Sequence, residues 1–536
     1  MIRLGEALEG ARLLATLPRF LRRPITVDEA RRTLRRRLEH RADNFLELAR
    51  DAIFARPSSV YRRLLALAGC EYGDLARLVR REGVEATLAT LLRHGVYLTV
   101  DEFKGRRPIV RGTSTIVARP GDMRDAAAAA HLSVDTGGSR GAATSVPIDL
   151  AFVRSRAVDS CLAFHAIGGG EWSHAVWGVP GGAMIVVMLE CAAFGGRMGR
   201  WFSQIDPRHP DLPARYRWSA MRWSSVGAPR RLPVVEYAPL AAPTPILRWL
   251  DMERQAGRTP HLHTHASSAV RLCQAAETAG MRLDGVYLTA ASEPSTAARL
   301  ETIRRAGATC WPQYASVEAG VVGRACSRPT APDEVHVFED RLALIQAGPR
   351  EVPPGLTSGA LLISSLSRTA TALLLLNVSM GDVGELDRSR CECPLERLGW
   401  TLRLHGIRSV EKLTAAGMTF LDTDVIRVLE DVLPRRFGGG PTDYQLVEEE
   451  SPDGRPSLRL LVDPRVGPFA SETMVEAFLS AIEGKRGAPQ VMGLAWRDAG
   501  LLRVERRPPM VTAAGKILHL HANGAGVRAS SPGPPG

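Results

Sequence analysis

Between about residues 112 and 400, short apolar runs bounded by Gly and Pro alternate with amphipathic stretches of helical length, and this alternation restricts the fold more than any other feature. Runs such as AMIVVML (183–189), GVYLTA (285–290) and GALLISSL (359–366) read as buried strands. Strands apolar on both faces and joined by helices make an α/β domain with much parallel sheet. On either side the pattern changes. Residues 1–111 carry helical spacing through DNFLELARDAIF (43–54), YRRLLALAG (61–69) and DLARLVRREGVEATLATLLRHGV (74–96). From 408 a helix (422–434), a glycine-proline break, a strand (457–464), a helix (471–484) and a hairpin-like stretch ending in GKILHLH (515–521) predict a small α+β domain. The expected organisation is a helical region over 1–111, a large α/β domain over 112–407, a small mobile α+β domain over 408–525, and a disordered tail over 526–536. Several domains also agree with 536 residues, too many for one compact core.

A net charge of +12 invites a nucleic-acid reading, and the distribution of charge argues against it. Of the 69 basic residues only Lys104, Lys412, Lys485 and Lys516 are lysine, and the arginines are scattered among acids along the chain. The densest cluster, RRTLRRRLEHR (31–41), reads as the solvated face of a helix. No apolar stretch approaches the ~20 residues of a membrane span. The N-terminus lacks the apolar core and small-residue site of a signal peptide, so a cytoplasmic protein is expected, with its eight cysteines reduced.

Five short motifs carry chemistry. The loop VDTGGSRGAAT (134–144) could bring backbone N–H groups and the hydroxyls of Thr136, Ser139 and Thr144 to phosphate oxygens, with Gly137 and Gly138 permitting close approach. By itself it is no different from any Gly/Ser/Thr loop. The stretch GVYLTAASEPSTAARLETIRRAGATCWPQYASVEAG (285–320) follows, then NVSMGD (377–382), IRSVEKLTAAGMTF (407–420) and TAAGK (512–516). Alone, TAAGK reads as a surface lysine in a turn, although a lysine is notable in a chain that otherwise uses arginine.

In order and spacing these pieces resemble the acyl-adenylate-forming superfamily, nearest its phenylacetate–CoA ligase branch and the related acyl-protein synthetases of bacterial luminescence. The resemblance spans about residues 58–522. It implies that Ser292-Glu293-Pro294 is the turn closing a core strand and that Tyr314-Ala315-Ser316-Val317-Glu318 is the Tyr-Gly-x-Thr-Glu-like motif. Glu318 would then contact magnesium, and Glu293, Pro294 and Tyr314 would shape the adenine and acyl pockets. Asp382 would accept hydrogen bonds from both ribose hydroxyls, a role suited to an acceptor-only carboxylate. Arg408 would contact ribose or phosphate, with Val410 or Glu411 as the pivot of the small domain. Lys516 would bridge the acyl carboxylate and the nucleotide, where a compact ammonium suits better than a planar guanidinium. The chain departs from the pattern at Ala315, Val317 and Ile407, and Arg140 is the one cation of the phosphate loop.

Cys326, His336, Cys391 and Cys393 have donor types that suit a closed tetrahedral zinc site. Some members of the phenylacetate–CoA ligase branch place a Cys, a His and a later Cys pair in this order. The alternative is four separately buried residues, and a one-residue gap between paired cysteines is tight for zinc. His261, His263 and His265 fall on one face of a strand. With Ser267 of the helix that follows, His263 and His265 are expected to border the acyl pocket, a second metal site being the alternative. WSHAVWGVPGG (172–182) would add aromatic walls.

These readings converge on an ATP- and Mg²⁺-dependent ligase that forms an acyl-AMP from a small carboxylic acid, aromatic if the branch resemblance extends to the substrate, and transfers the acyl group to a thiol, coenzyme A first among acceptors. Two alternatives stay open: transfer to a carrier protein or an amine, and a degenerate relative that binds nucleotide or acyl ligand without turnover.

Overall fold

The computed structural model describes residues 4–522 except 126, 136–144, 180, 207–217, 219–220, 223–224, 226–231, 350–351, 410–413, 416–417, 420–421, 451–455, 484–501 and 513–514. The phosphate loop with Thr136, Gly137, Gly138, Ser139, Arg140 and Thr144, the pivot residues Val410 and Glu411, and the tail 526–536 therefore lie outside the described residues. The chain divides into two compact units, one built on the chain up to Arg408 and the other on the chain from Ser409.

The first unit opens with helices, among them α1 (Leu4–Leu21), α2 (Val27–Glu39), α3 (Tyr72–Glu82) and α4 (Val84–Arg93). Thr26 caps α2 by accepting from the Glu29 amide, and α4 presents Val84, Leu88, Leu91 and Leu92 on one buried face. That face shares an apolar core with Leu344, Leu362 and Val378 of the sheet. Next come α5 (Leu150–Ala166), β1 (Ser173–Gly178), α6 (Gly182–Ala193), β2 (Arg197–Ser203), β3 (Val235–Tyr237), α7 (Thr244–Gln255), β4 (Pro260–His265), α8 (Ala266–Thr278), β5 (Tyr287–Ala291), α9 (Ala297–Arg305) and β6 (Thr309–Ser316). The large sheet continues with β7 (Gly320–Ala325), β8 (Val335–Val337), β9 (Leu342–Gln346), β10 (Ala360–Ser365), β11 (Val378–Asp387) and β12 (Arg403–Ser409), and two separate hairpins, 109–116 and 132–148, precede it in the unit.

Strands β1 to β12 join one twelve-stranded sheet in the order β9-β10-β11-β12-β8-β7-β6-β5-β4-β1-β2-β3. From β3 to β6 the pairs are parallel. From β6 onward β7, β8 and β12 pair antiparallel, as do β9, β10 and β11. The fold is therefore mixed α/β, the parallel half coinciding with the helical crossovers that parallel pairing needs. One expected strand is a helix: AMIVVML lies within α6, of which Met184, Ile185, Val186, Met188 and Leu189 are all buried. A helix apolar on every side shows no period to separate it from a buried strand.

The second unit contains β13 (Tyr444–Glu450), β14 (Pro456–Val462), α10 (Ser471–Glu483), β15 (Leu502–Arg506) and β16 (Leu520–Ala522), in sheet order β15-β14-β13-β16. Leu446, Leu458, Leu460, Met474, Phe478 and Ile482 form its core. The expected terminal hairpin is absent from the described residues. Instead β15 pairs parallel with β14 on one edge and β16 pairs parallel with β13 on the other, each burying its own leucine, Leu502 or Leu520.

Candidate active site

Strand β5 delivers Ala291 to the carboxyl edge of the sheet, the side on which open α/β sheets bind ligands. The chain then turns through Ser292, whose φ of 69° is rare for a residue with a Cβ. This turn points Glu293 inward. Its carboxylate accepts from the Ser267 amide at 2.6 Å, the Ser267 hydroxyl at 3.0 Å and Arg299 Nη1 at 3.3 Å. Both charged side chains are enclosed, with exposures of 1% for Arg299 and 0% for Glu293. Arg299 Nη1 also donates to the Pro294 carbonyl at 3.4 Å. Glu293 thus acts as a bracket, tying the first turn of α8 to α9, where a carboxylate is favoured by the positive end of the helix dipole.

The second group gathers near the end of β6 and in the middle of β11. Tyr314 donates its hydroxyl to Asp382 at 2.9 Å, joining two motifs 68 residues apart. Burial, then the charge of Asp382, pushes the Tyr314 phenol well above its ordinary range, and Glu318 adds to the same push. Glu318 itself is buried in the turn between β6 and β7, where its carbonyl accepts the amides of Ala372 at 2.9 Å and Leu373 at 3.3 Å. Gly320 ends that turn at φ 78°, and a Cβ there would sit 2.9 Å from the Phe152 ring, so glycine is required twice over. Two carboxylates and a neutral phenol in one cluster can bind a hard cation through oxygen and accept from vicinal hydroxyls.

Arg408 lies half-buried on β12, which is held to the first unit just before it: the amides of Gly406 and Ile407 donate to Asp333 at 3.0 and 2.6 Å. In the second unit Lys516 stands half-buried on a tight turn. Its amide donates to Thr512 Oγ1 at 3.1 Å and its carbonyl accepts the Thr512 amide at 2.8 Å. Gly515 makes the turn possible with φ 79°.

Cys326, His336, Cys391 and Cys393 converge, their donor atoms all within 4.8 Å of one another. His336 Nε2 lies 3.4 Å from the Cys391 sulfur and 3.1 Å from the Cys393 sulfur. Its Nδ1 faces the Trp400 carbonyl at 2.7 Å, the outer contact that orients an imidazole ligand. Glu392 at φ 56° bends the chain so that sulfurs one residue apart meet. Three thiols and one imidazole at these separations fit a tetrahedral ion with metal–ligand distances of about 2.0–2.3 Å.

The histidine strand is fully buried. His261, His263 and His265 occupy one face of β4, and His174 of β1 joins them with Nδ1 2.9 Å from His261 Nδ1. His261 Nε2 reaches the Thr289 hydroxyl at 2.8 Å. Burial, then the charge of Arg324, lowers the His263 pKa to about 3, so this imidazole is neutral. Ser267 donates its amide and its hydroxyl to Glu293. Sequence reasoning missed Arg324 and Glu190, which line a small cavity with His174 and His263. The available signal was an arginine inside an apolar strand, GVVGRA, and a glutamate inside an apolar helix.

No family model and no curated protein matches the chain. Solved structures do. The crystal structure of 2-hydroxyisobutyryl-CoA ligase in the postadenylation state, in complex with R3-HIB-AMP, is 16% identical, with 90% of this chain and 89% of that chain covered at TM-score 0.50. The amide bond synthetase McbA from Marinactinospora thermotolerans is 12% identical, with 94% and 98% covered at TM-score 0.43. O-succinylbenzoate coenzyme A synthetase from Bacillus subtilis, in complex with ATP and magnesium, is 12% identical, with 73% and 69% covered at TM-score 0.43. At these identities the likeness is one of fold, and the fold of this chain is that of the 2-hydroxyisobutyryl-CoA ligase structure.

Proposed function

We propose that this protein activates a small carboxylic acid with ATP as an acyl-AMP and passes the acyl group to coenzyme A. The observation that carries the reading is the cluster of Tyr314, Glu318 and Asp382 at the carboxyl edge of the sheet. In this reading Asp382, steadied by Tyr314, accepts the ribose hydroxyls, and Glu318 holds magnesium. The ion supplies charge neutralisation for attack of one anion on another. Thr136, Gly137, Gly138 and Ser139 cradle the phosphates, and Arg408 contacts ribose or phosphate. Lys516 stabilises the charge that develops between carboxylate and α-phosphate, an interaction made mainly in the transition state. Glu293 and Pro294 shape the nucleotide pocket through their backbone, because the Glu293 carboxylate is engaged internally.

Carboxylate-dependent ATP–pyrophosphate exchange against a panel of short, hydroxylated, dicarboxylic, aryl and fatty acids tests the proposal. Exchange with at least one acid, lost in Lys516→Ala, is expected. No exchange with any acid refutes it. Thioester formation on adding coenzyme A then identifies the acceptor, and its absence alongside exchange favours a carrier protein or an amine. We also propose that Cys326, His336, Cys391 and Cys393 hold a structural zinc. Metal analysis of the purified protein is expected to give about one equivalent, and less than about a tenth of an equivalent would exclude it.

A further inference from the structure

The polar side chains beneath the carboxyl edge of the sheet are arranged around a space. In register across the sheet, His265 pairs with Ala291, Ala291 with Gln313, and Gln313 with Arg324. Paired residues share a face, so His265, Gln313 and Arg324 lie on one side of the sheet, together with His263 one alternation back. On that side a cavity of ≈ 20 Å³ is lined by His174, His263, Glu190 and Arg324, with Phe164 and Met198 among its apolar walls. Such a volume accommodates roughly one oxygen-sized group.

The charge around this space is incompletely answered. Glu190 is shared by Arg156 at 2.6 Å and Arg324 at 3.5 Å. Arg324 Nη2 donates to the Ser160 hydroxyl at 2.9 Å, and its guanidinium covers the Phe164 ring at 4.7 Å. Arg324 Nε and Gln313 Oε1 are buried without a hydrogen-bond partner among the described residues. Burial brings the Arg324 pKa down to about 10, which leaves it a cation at neutral pH. An enclosed donor without an acceptor costs about 1–3 kcal/mol. An apolar group in the cavity would leave that cost in place, and an oxygen acceptor would remove it. His263 stands two residues before the end of β4, about 6.6 Å below the edge at ~3.3 Å per residue. A short acid whose carboxylate reacts at the edge would place its far end at this depth.

We infer that the substrate is a short carboxylic acid bearing a second oxygen group at its far end, a hydroxyl or another carboxylate, received by Arg324. The inference rests on the adenylation reading and narrows its substrate class. Arg324 then determines specificity, because a buried site built to hydrogen-bond an oxygen rejects the matched acid that lacks it.

The test is ATP–pyrophosphate exchange with acetate, butyrate, 4-hydroxybutyrate and succinate. We expect kcat/KM for 4-hydroxybutyrate or succinate to exceed that for butyrate by about 10²-fold or more, and the better of the two distinguishes hydroxyl from carboxylate. Arg324→Met should erase this preference, read as the ratio of kcat/KM for the oxygen-bearing acids to that for butyrate measured in the same variant. Val187 also lines this cavity, and Val187→Leu adds one carbon to the wall without touching an ion pair. It should raise KM for the oxygen-bearing acids, leave kcat little changed, and spare acetate, which is too short to reach. Exchange with butyrate equal to or better than with both oxygen-bearing acids overturns the inference and leaves adenylation standing. Exchange with none of these acids or of the wider panel overturns both.

Discussion

Neutralising Glu293 separates two roles that the same residue could play. In Glu293→Gln the side chain keeps its shape and loses its charge, taking a carboxylate away from Arg299, which is 1% exposed. Removing one partner of a buried pair costs about 3–5 kcal/mol, mostly because the remaining charge stays buried and unanswered. The Ser267 amide and hydroxyl also lose part of their acceptor, so the figure belongs near the upper end of that range. The double variant Glu293→Gln/Arg299→Met removes the arginine's buried charge as well and should recover part of the loss, because an uncharged pair of similar volume is close to neutral at such sites. The assay is thermal unfolding of the wild type, both single variants and the double variant, with KM for ATP measured in parallel. A bracket predicts a strongly lowered unfolding midpoint for Glu293→Gln, partial recovery in the double variant, and an ATP KM that follows stability. Unchanged unfolding together with a raised KM for ATP would refute the bracket and make Glu293 a direct nucleotide ligand.

Other outcomes follow from the same geometry. Lys516→Ala should lower exchange by roughly 10²–10³-fold with little change in nucleotide binding, measured by titration of ATP. Tyr314→Phe removes a charge-assisted hydrogen bond to Asp382 and should raise KM for ATP about 10-fold, less than a fully buried bond would, since Asp382 is half-buried and water can replace the hydroxyl. His263 has its pKa lowered to about 3 in the folded chain, against about 6.5 when unfolded. The unfolded chain therefore takes up the extra proton, and stability falls as pH drops below about 6.5, by roughly 2 kcal/mol at pH 5. Thermal midpoints between pH 5 and 8 should show this slope, reduced in His263→Gln. If zinc is bound, a strong chelator or Cys393→Ser should lower the unfolding midpoint, because binding free energy at a structural site adds to folding free energy.

The legible parts of the sequence were those set by local patterning. Alternating runs gave the strands at 285–290 and 359–366, and the order of separated motifs led to the fold later matched by a solved ligase. What escaped depends on direction. Glu293 was assigned to the nucleotide, and only the left-handed Ser292 decides that its carboxylate turns toward Ser267 and Arg299. Likewise His261 was visible as part of a histidine strand, whereas its partner His174 comes from a strand 87 residues away whose neighbour is fixed by sheet order. The run AMIVVML carried no period because every side of α6 is covered. The two terminal strands mimic a hairpin in sequence, yet each finds a different edge of its sheet.

The turn that presents Lys516 has a practical consequence for chemical footprinting. An acyl-AMP is itself an amine acylating agent, and this chain offers it very few amines: Lys104, Lys412, Lys485, Lys516 and the N-terminus. Mass spectrometry of so sparse a set can report modification residue by residue, without the crowded background of a lysine-rich surface. Protection or acylation at Lys516 by an added acyl-AMP would then report directly whether that side chain meets it.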